Sequence, residues 1–482
     1  YRQLFFIYYK VFMMDFSSSS HIFMVGIKGS GMSSLAVFLH THGINICGWD
    51  VAEEFITDRV LTDHSIPFSY LSPTDEQLST LDFLIYSSAY SIHHPIIDEA
   101  KKYNITILSY YEALAHLSKH YPTFGVSGTH GKTTSVAAIH HMLSSNNIPH
   151  SVICGAHLDK KDSLKKEIKH VQPLIVEACE YQDHFLSLSL NGLFITNVEY
   201  EHVDYFKDEK ALFESFFTLI QNLPKDAPII CNRDEKGMDI IINYVEQHRK
   251  DLNLITYGKG ERNTYSYCYP HFQNIHSLYV KELDASYTTF LVGEAFISDL
   301  FGSALLAMMI PSTNKKDSVL DFFLSTLHNF SGAKGRVQRL THVHHMFHLY
   351  NDYAHHPSEI RASFHSLRLL HPNNKLILIF FPHTVSRMKA FFDDFVSALS
   401  LFDEVYILPV ALCARGDGSI EEAVSLSKQL AHECNGTFVY DEHSAMNILL
   451  TVLHSQDVCI TMGAGNTMGM KDQLLTLKEL PL

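Results

Sequence analysis

The sequence predicts an α/β protein made of three successive units. Two observations carry that prediction: short buried-strand patterns alternate with helical runs along most of the chain, and two of the strand-to-helix junctions are rich in glycine. The length of 482 residues agrees, being too great for one ordinary core and suited to about three.

The first unit opens with the apolar run His21 to Val25, then Gly26-Ile27-Lys28-Gly29-Ser30-Gly31-Met32-Ser33, then a helical run from Ser34 to His42. Strand, glycine turn and helix in that order suit a pyrophosphate, because glycines let the backbone approach it and the helix start offers unpaired N–H groups. A second strand, Asn45 to Asp50, ends in an acid placed to meet a ribose hydroxyl or a nearby group. Further strands are expected at Leu81 to Ser88 and Ile105 to Leu108, giving a short parallel sheet.

The second unit begins with the sharpest signal in the chain, Thr123-Phe124-Gly125-Val126-Ser127-Gly128-Thr129-His130-Gly131-Lys132-Thr133-Thr134, followed by a helix from Ser135 to Leu143. Such a loop wraps backbone N–H groups around phosphates, Lys132 adds a charge toward the terminal phosphates, and Thr133 is placed to ligate magnesium. Five residues separate Gly125 from Gly131, one more than the strict nucleotide-loop pattern, which points to a particular variant rather than a generic kinase. Downstream, a strand over Pro173 to Val176 delivers Glu177-Ala178-Cys179-Glu180, and one over Leu193 to Thr196 delivers Asn197-Val198-Glu199-Tyr200-Glu201-His202-Val203-Asp204. Strand ends at the carboxyl edge of a parallel sheet are where ligands collect, so both tips are expected beside the loop. Glu177 and His202 would then offer a hard oxygen and a neutral imidazole to a second divalent ion, although either alone is an ordinary loop residue.

The third unit follows a loop at Asn329 to Arg336, whose Gly332 and Gly335 make it a candidate hinge. It carries Asp352-Tyr353-Ala354-His355-His356-Pro357, a buried strand ending in Phe381-Pro382-His383, then Arg387, a strand from Glu404 to Leu408, and Gly463-Ala464-Gly465-Asn466. The tract Thr341 to His348 is rich in histidine, but no acid or cysteine joins it, so polar positions beside a strand are the preferred reading over a metal site.

Composition excludes several classes of function. The 37 Lys and Arg stand against 52 Asp and Glu, a balance of -15 that disfavours nucleic acid as a partner. Eight cysteines are scattered singly with no C-x-x-C pair, as expected of reduced thiols in a cytosolic enzyme. No run of about 18 apolar residues is present to span a bilayer. The apolar stretch Leu4 to Met14 is interrupted by Lys10, followed by Asp15, and lacks a small-residue cleavage site, so export is not expected and residues before Met13 or Met14 are expected to be start-site noise.

In this order and spacing, Gly29-Ser30-Gly31-Met32-Ser33, Gly128 to Thr134, Asn197-x-Glu199-x-x-His202-x-Asp204, Asp352 to Pro357, Phe380-Phe381-Pro382-His383 and Gly463 to Asn466 resemble the Mur ligases, over nearly the whole chain. The resemblance implies a Rossmann-like N-terminal domain (1–120) for a UDP-sugar, a central P-loop-type parallel-sheet ATPase (121–329), and a Rossmann-like C-terminal domain (330–482) for the amino acid. It is strongest to the branch that joins L-alanine to the carboxylate of UDP-N-acetylmuramate, with ATP and Mg2+, in peptidoglycan synthesis. A recycling branch that adds a preformed peptide to the same sugar nucleotide is the nearest alternative, and a non-catalytic nucleotide- and UDP-sugar-binding regulator is the alternative outside catalysis.

Carried over by position, Gly26, Gly29, Ser30, Gly31, Met32 and Asp50 would bind the UDP-sugar. Gly128, Thr129, His130, Gly131, Lys132, Thr133, Thr134 and Asp352 would bind ATP. Thr133, Glu177 and His202 would hold metal, with Lys132, Glu177, His202 and His355 catalytic, and Tyr353, His383 and Arg387 on the amino-acid side. Three positions depart from the family pattern: Lys28 stands for a glycine, Asp299-Leu300 for a His-Asn pair near adenine, and Thr384 for an arginine after Pro-His.

The chemistry itself explains the residue types. A carboxylate is a poor electrophile, so amide formation in water needs an activated acyl group, and transfer of the γ-phosphoryl of ATP supplies one as an acyl phosphate. The protein's part is positioning and charge neutralisation, and no single general base is evident in the sequence.

Overall fold

The computed structural model describes residues 16, 19–155, 172–269, 271–272, 275–310, 316–341, 347–411, 418–463, 470 and 474–475. The expectations for Leu4 to Met14, for most of the histidine tract (342–346) and for Ala464-Gly465-Asn466 fall outside these residues.

The first compact unit, up to Leu117, holds one five-stranded sheet. Its strands are β1 (His21–Val25), β2 (Asn45–Trp49), β3 (Phe68–Ser69), β4 (Phe83–Tyr86) and β5 (Thr106–Ser109), in the order β3-β2-β1-β4-β5 and parallel throughout. The order reverses at β1, so the glycine turn after Val25 lies at the switch point of the sheet, where such folds gather ligands. Helix Ser30–Thr41 starts earlier than the periodicity predicts, because Ser30, Gly31, Met32 and Ser33 form its first turn, with Gly29 at the N-cap.

The second unit contains two sheets. The larger has β6 (Thr123–Ser127), β7 (Ser151–Ile153), β8 (Leu174–Glu177), β9 (Gly192–Ile195), β10 (Pro228–Asn232), β11 (Asn253–Gly258), β12 (Tyr265–Cys268), β13 (His271–Phe272), β14 (Ile275–Val280) and β15 (Ala285–Thr288). β8 and β9 pair in parallel on either side of β6. That register explains why the acidic tips after β8 and β9 flank the nucleotide-type loop after β6. The sheet is parallel, as expected, except at one edge, where β14 pairs antiparallel with β12, β13 and β15. These late strands are short and joined by tight connections, which only antiparallel pairing allows.

The smaller sheet runs β16 (Gln338–Arg339), β17 (His348–Asp352), β21 (Val458–Gly463), β18 (Leu376–Phe381), β19 (Glu404–Ile407) and β20 (Thr437–Phe438) across its width. It is parallel except for β16 against β17. All six residues of β18 are buried, as a strand covered on both faces requires. Gly332 and Gly335, between the two sheets in sequence, have φ of +96° and +74°, a backbone that a side chain at either position would strain.

Candidate functional site

In the first unit, Gly26 has φ +80°, and a Cβ there would lie within 2.9 Å of Tyr90 and Ser87. The turn therefore requires glycine, and helix Ser30–Thr41 begins with no side chain capping its amides. Gly29, Ser30, Gly31 and Met32 form this turn and first helical residues, with Met32 buried. Asp50, the acid at the end of β2, is engaged within the fold. Its carboxylate is buried and accepts from the amides of Lys28 (2.7 Å) and Val51 (2.8 Å) and from the Tyr90 hydroxyl (3.2 Å). It thus holds the turn in shape. Lys28 turns its side chain away from the helix start into the loop after β2, where Nζ donates to the carbonyls of Val51 (2.8 Å) and Glu53 and meets Asp58 at 3.3 Å. Its departure from glycine pins that loop and leaves the helix-start amides uncovered.

In the second unit, Gly128 and Gly131 have φ of +121° and +84°, and a Cβ on either would run into Thr196 or Asp299. The loop is fastened to the segment after β9: Thr129 N donates to Asn197 O (3.0 Å), His130 N to Asn197 Oδ1 (3.1 Å), and Thr129 Oγ1 to Glu199 O (2.9 Å). Helix Lys132–Ser145 begins at the loop's end. The Lys132 ammonium donates to Gly128 O, to Thr129 O at 3.1 Å, and to both oxygens of Glu180 at 3.0 and 3.1 Å.

From Lys132 a line of charged contacts runs to the smaller sheet. Glu180 meets His202 Nε2 at 3.3 Å, and His202 Nδ1 meets Glu201 at 2.9 Å. Glu201 accepts from Arg387 Nε at 2.6 Å, and Arg387 Nη1 lies 3.2 Å from His383 Nδ1. The structure therefore brings Lys132, His202, His383 and Arg387 together, through two carboxylates, Glu180 and Glu201, that sequence reasoning left unassigned. Both were within motifs already singled out, three residues after Glu177 and one before His202. The signal available was the excess of acids in those tips.

Two of these contacts bear on roles expected from the sequence. His202 is not a neutral imidazole: burial pushes its pKa down, but Glu180 and Glu201 outweigh that and raise it to about 9. With a proton on each ring nitrogen it offers no lone pair to a cation. The Arg387 guanidinium is held by Glu201 here, so a ligand carboxylate reaches it only by displacing that partner. The His202 state has a measurable consequence. Its folded pKa of about 9 exceeds the ordinary 6.5, so its contribution to stability is full below pH 6.5 and lost as pH rises through 9. NMR should follow the ring titrating near 9, and His202→Gln should remove that part of the alkaline loss of stability. A ring titrating near 6.5 would contradict the pairing.

Glu177, at the end of β8, keeps a buried carboxylate oxygen, Oε1, without a hydrogen-bond partner, on the same edge as Lys132. A cleft of about 200 Å3 opens past His130, Thr133 and Thr134 toward Asp352, Phe296 and Ala295. Asp299 lies on it against Gly131, whereas Leu300 points into the core, so the pair expected near adenine is split. Ala295 and Phe296, one turn earlier on helix Glu294–Met309, face the cleft instead. Asp352 accepts from Ser363 Oγ and the amide of Ala354.

A second junction joins the loop to the smaller sheet. His130 lies 3.5 Å from Glu199 and 3.4 Å from Glu359, and Glu359 also meets Arg336 at 3.5 Å. Burial lowers the His130 pKa, but the two acids raise it overall to about 9. His355 is the reverse case: burial holds its pKa down near 3, so the ring is neutral, with Nδ1 2.9 Å from Tyr353 O and its centroid 5.5 Å from that of His383. Tyr353 is 45% exposed, with Arg336 4.9 Å above its ring. Glu199, Arg336 and Glu359 are further functional candidates that the sequence alone did not single out.

Three family models match the chain: Mur ligase family, catalytic domain, at residues 21–122; Mur ligase middle domain at 126–307; and Mur ligase, glutamate ligase domain, at 335–465. The UDP-N-acetylmuramate--L-alanine ligase of Borreliella burgdorferi is 34% identical, covering 96% of this chain and 100% of its own length. The enzyme of the same name from Desulfitobacterium hafniense is 30% identical over 92% of this chain and 97% of its own. Among solved structures, the UDP-N-acetylmuramate-alanine ligase of Thermotoga maritima superposes with a TM-score of 0.74 at 21% identity, covering 94% of this chain and 97% of that one. A murein peptide ligase from Psychrobacter arcticus gives 0.69 at 16% identity, covering 95% and 98%. These two establish likeness of fold.

Proposed function

The chain belongs to the Mur ligase family, and from that premise we propose that it joins L-alanine to the carboxylate of UDP-N-acetylmuramate, using ATP, in peptidoglycan synthesis. The observation that carries the reading is the continuous line of contacts from the loop lysine, Lys132, to Arg387 on the smaller sheet. It sets a phosphate-binding loop and a carboxylate-reading guanidinium on one charged path, as a ligase that activates one carboxylate and seats an amino acid needs.

The first unit, through Gly26 to Met32, binds the sugar nucleotide at the uncapped helix start, with Asp50 and Lys28 holding the turn and its neighbouring loop. The amides of residues 128–134 and Lys132 take the ATP phosphates, and the cleft toward Phe296 and Asp352 takes the rest of the nucleotide. The γ-phosphoryl passes to the sugar carboxylate, and the amine of alanine displaces phosphate from the acyl phosphate. We place the domain limits at 120/121 and 329/330, in the stretches between successive sheets, and the location in the cytoplasm, where the described cysteines would remain thiols. No helix among the described residues is long and apolar enough to cross a membrane.

The unpartnered oxygen of Glu177 and the hydroxyl of Thr133 are hard donors that fit Mg2+, whereas His202 joins such a set only on losing its proton. Bound there, the ion would neutralise phosphate charge. Glu177→Ala is expected to raise the magnesium concentration for half-maximal rate at least fivefold while nucleotide binding survives; an unchanged magnesium dependence would remove Glu177 from the set.

The overall reading is tested by phosphate release with ATP and UDP-N-acetylmuramate across an amino-acid panel. Release that depends on L-alanine supports it. Release that needs a preformed peptide would favour the recycling reaction, and binding without release would make the protein a regulator.

A further inference from the structure

We propose that Glu201 is the specificity residue for the amino group of the incoming amino acid, and that the Glu201–Arg387 pair opens to admit the amino acid as a zwitterion. The inference rests on the ligase reading above and adds to it a residue and a mode of entry.

Glu201 is 5% exposed, yet it sits between two cations, one on each carboxylate oxygen. Oε2 faces His202 Nδ1 at 2.9 Å, and Oε1 accepts from Arg387 Nε at 2.6 Å and from Nη2. The two cations differ in origin. His202 follows Glu201 in the chain and belongs to the same loop, after β9, so that contact is local. Arg387 comes from helix Val385–Ala390 beyond β18, in the other sheet of this unit, so that contact is breakable by a small movement of one sheet's edge from the other. Gly332 and Gly335, both with positive φ, lie on the connection between those sheets.

A buried ion pair is costly to break by removing one partner, because the other is left uncompensated. It is far less costly to exchange for an ion of matching charge. A zwitterionic α-amino acid carries both charges a few ångströms apart. Its carboxylate replaces Glu201 Oε1 on the forked face of Arg387, and its ammonium replaces Arg387 on Oε1. No net charge is buried, His202 keeps Glu201 in place, and each group ends with a partner of the sign it had before. A ligand with only one of the two charges leaves either Glu201 or Arg387 unpaired in a buried setting. The pair therefore selects for zwitterions and against simple carboxylates and amines. His383, 3.2 Å from Arg387 Nη1, steadies the guanidinium through the exchange.

The test compares wild type with Glu201→Gln, using L-alanine as substrate and propionate and ethylamine as half-charged inhibitors. In wild type, both half-ligands are expected to bind at least a hundredfold more weakly than alanine. In Glu201→Gln the KM for L-alanine should rise at least tenfold. The Ki of propionate should stay constant or fall, because Arg387 is released, so the preference for alanine over propionate collapses. KM values for ATP and the sugar nucleotide should stay within twofold, and hydroxylamine should still trap the acyl phosphate formed without amino acid. Glu201→Asp keeps the charge and should keep the preference, which covers the case in which the glutamine variant folds poorly. An alanine KM within twofold of wild type in Glu201→Gln, or a parallel weakening of alanine and propionate, would overturn the proposal. If wild type itself forms no hydroxamate, the ligase reading fails instead, and equilibrium dialysis with labelled L-alanine against both variants still reads the pair directly.

Discussion

Lys132→Ala is expected to lower the rate of ligation by about a thousandfold or more, equivalent to about 4 kcal/mol of transition-state stabilisation. The ammonium is held within the loop by Gly128 O and Thr129 O and is the one lysine on the charged path. Phosphoryl transfer spreads negative charge over oxygens for which the backbone amides alone compensate incompletely. The fold should survive, because Glu180 keeps His202 as a partner at 3.3 Å when the lysine is lost. Steady-state phosphate release beside a circular dichroism spectrum checks both halves. Turnover within tenfold of wild type by a folded variant would remove the loop from catalysis.

Glu180→Ala is expected to have the largest effect on stability of any single change at the site, about 3 kcal/mol or more. Glu180 is 1% exposed and carries two cations, Lys132 and His202. Burial works to raise its pKa, yet Lys132 and His202 hold it below the ordinary carboxylate range, so it is ionised at neutral pH. Removing it leaves the ammonium on loop carbonyls alone and His202 on Glu201 alone. The His202 pKa should therefore fall from about 9 toward its ordinary value. Guanidinium denaturation and NMR titration of the ring measure the two effects. A loss under about 1 kcal/mol, with the His202 titration unmoved, would show that the pairing carries little energy.

Much of this architecture is written locally in the chain. Runs such as Leu376 to Phe381, apolar at every position, can only be covered strands, and glycine with lysine at 131–132 marks a loop opening a helix. That the strand tips at Glu177 and His202 share one edge was legible because chain order and parallel pairing place them there. What was not legible is how charges pair across elements far apart in sequence. Glu201 and Arg387 are 186 residues apart, and His130 and Glu359 more than that, so no local pattern distinguishes a residue free for ligand from one already matched. The hold on Asp50 is hidden for the same reason, since its partner Tyr90 lies 40 residues on. The antiparallel edge from Tyr265 to Thr288 was missed because its strands are short, and their alternation is too brief to set against a helical reading.

On the proposed route the sugar carboxylate is activated by phosphorylation before the amine arrives. Transfer of carboxylate oxygen tests it most directly. UDP-N-acetylmuramate labelled with 18O in its carboxylate, incubated with ATP, L-alanine and the enzyme, should deliver one labelled oxygen to each phosphate released, because the C–O bond to the phosphoryl group breaks when the amine attacks. Released phosphate free of label, with amide still formed, would contradict the acyl-phosphate route and the roles given to Lys132 and Glu177.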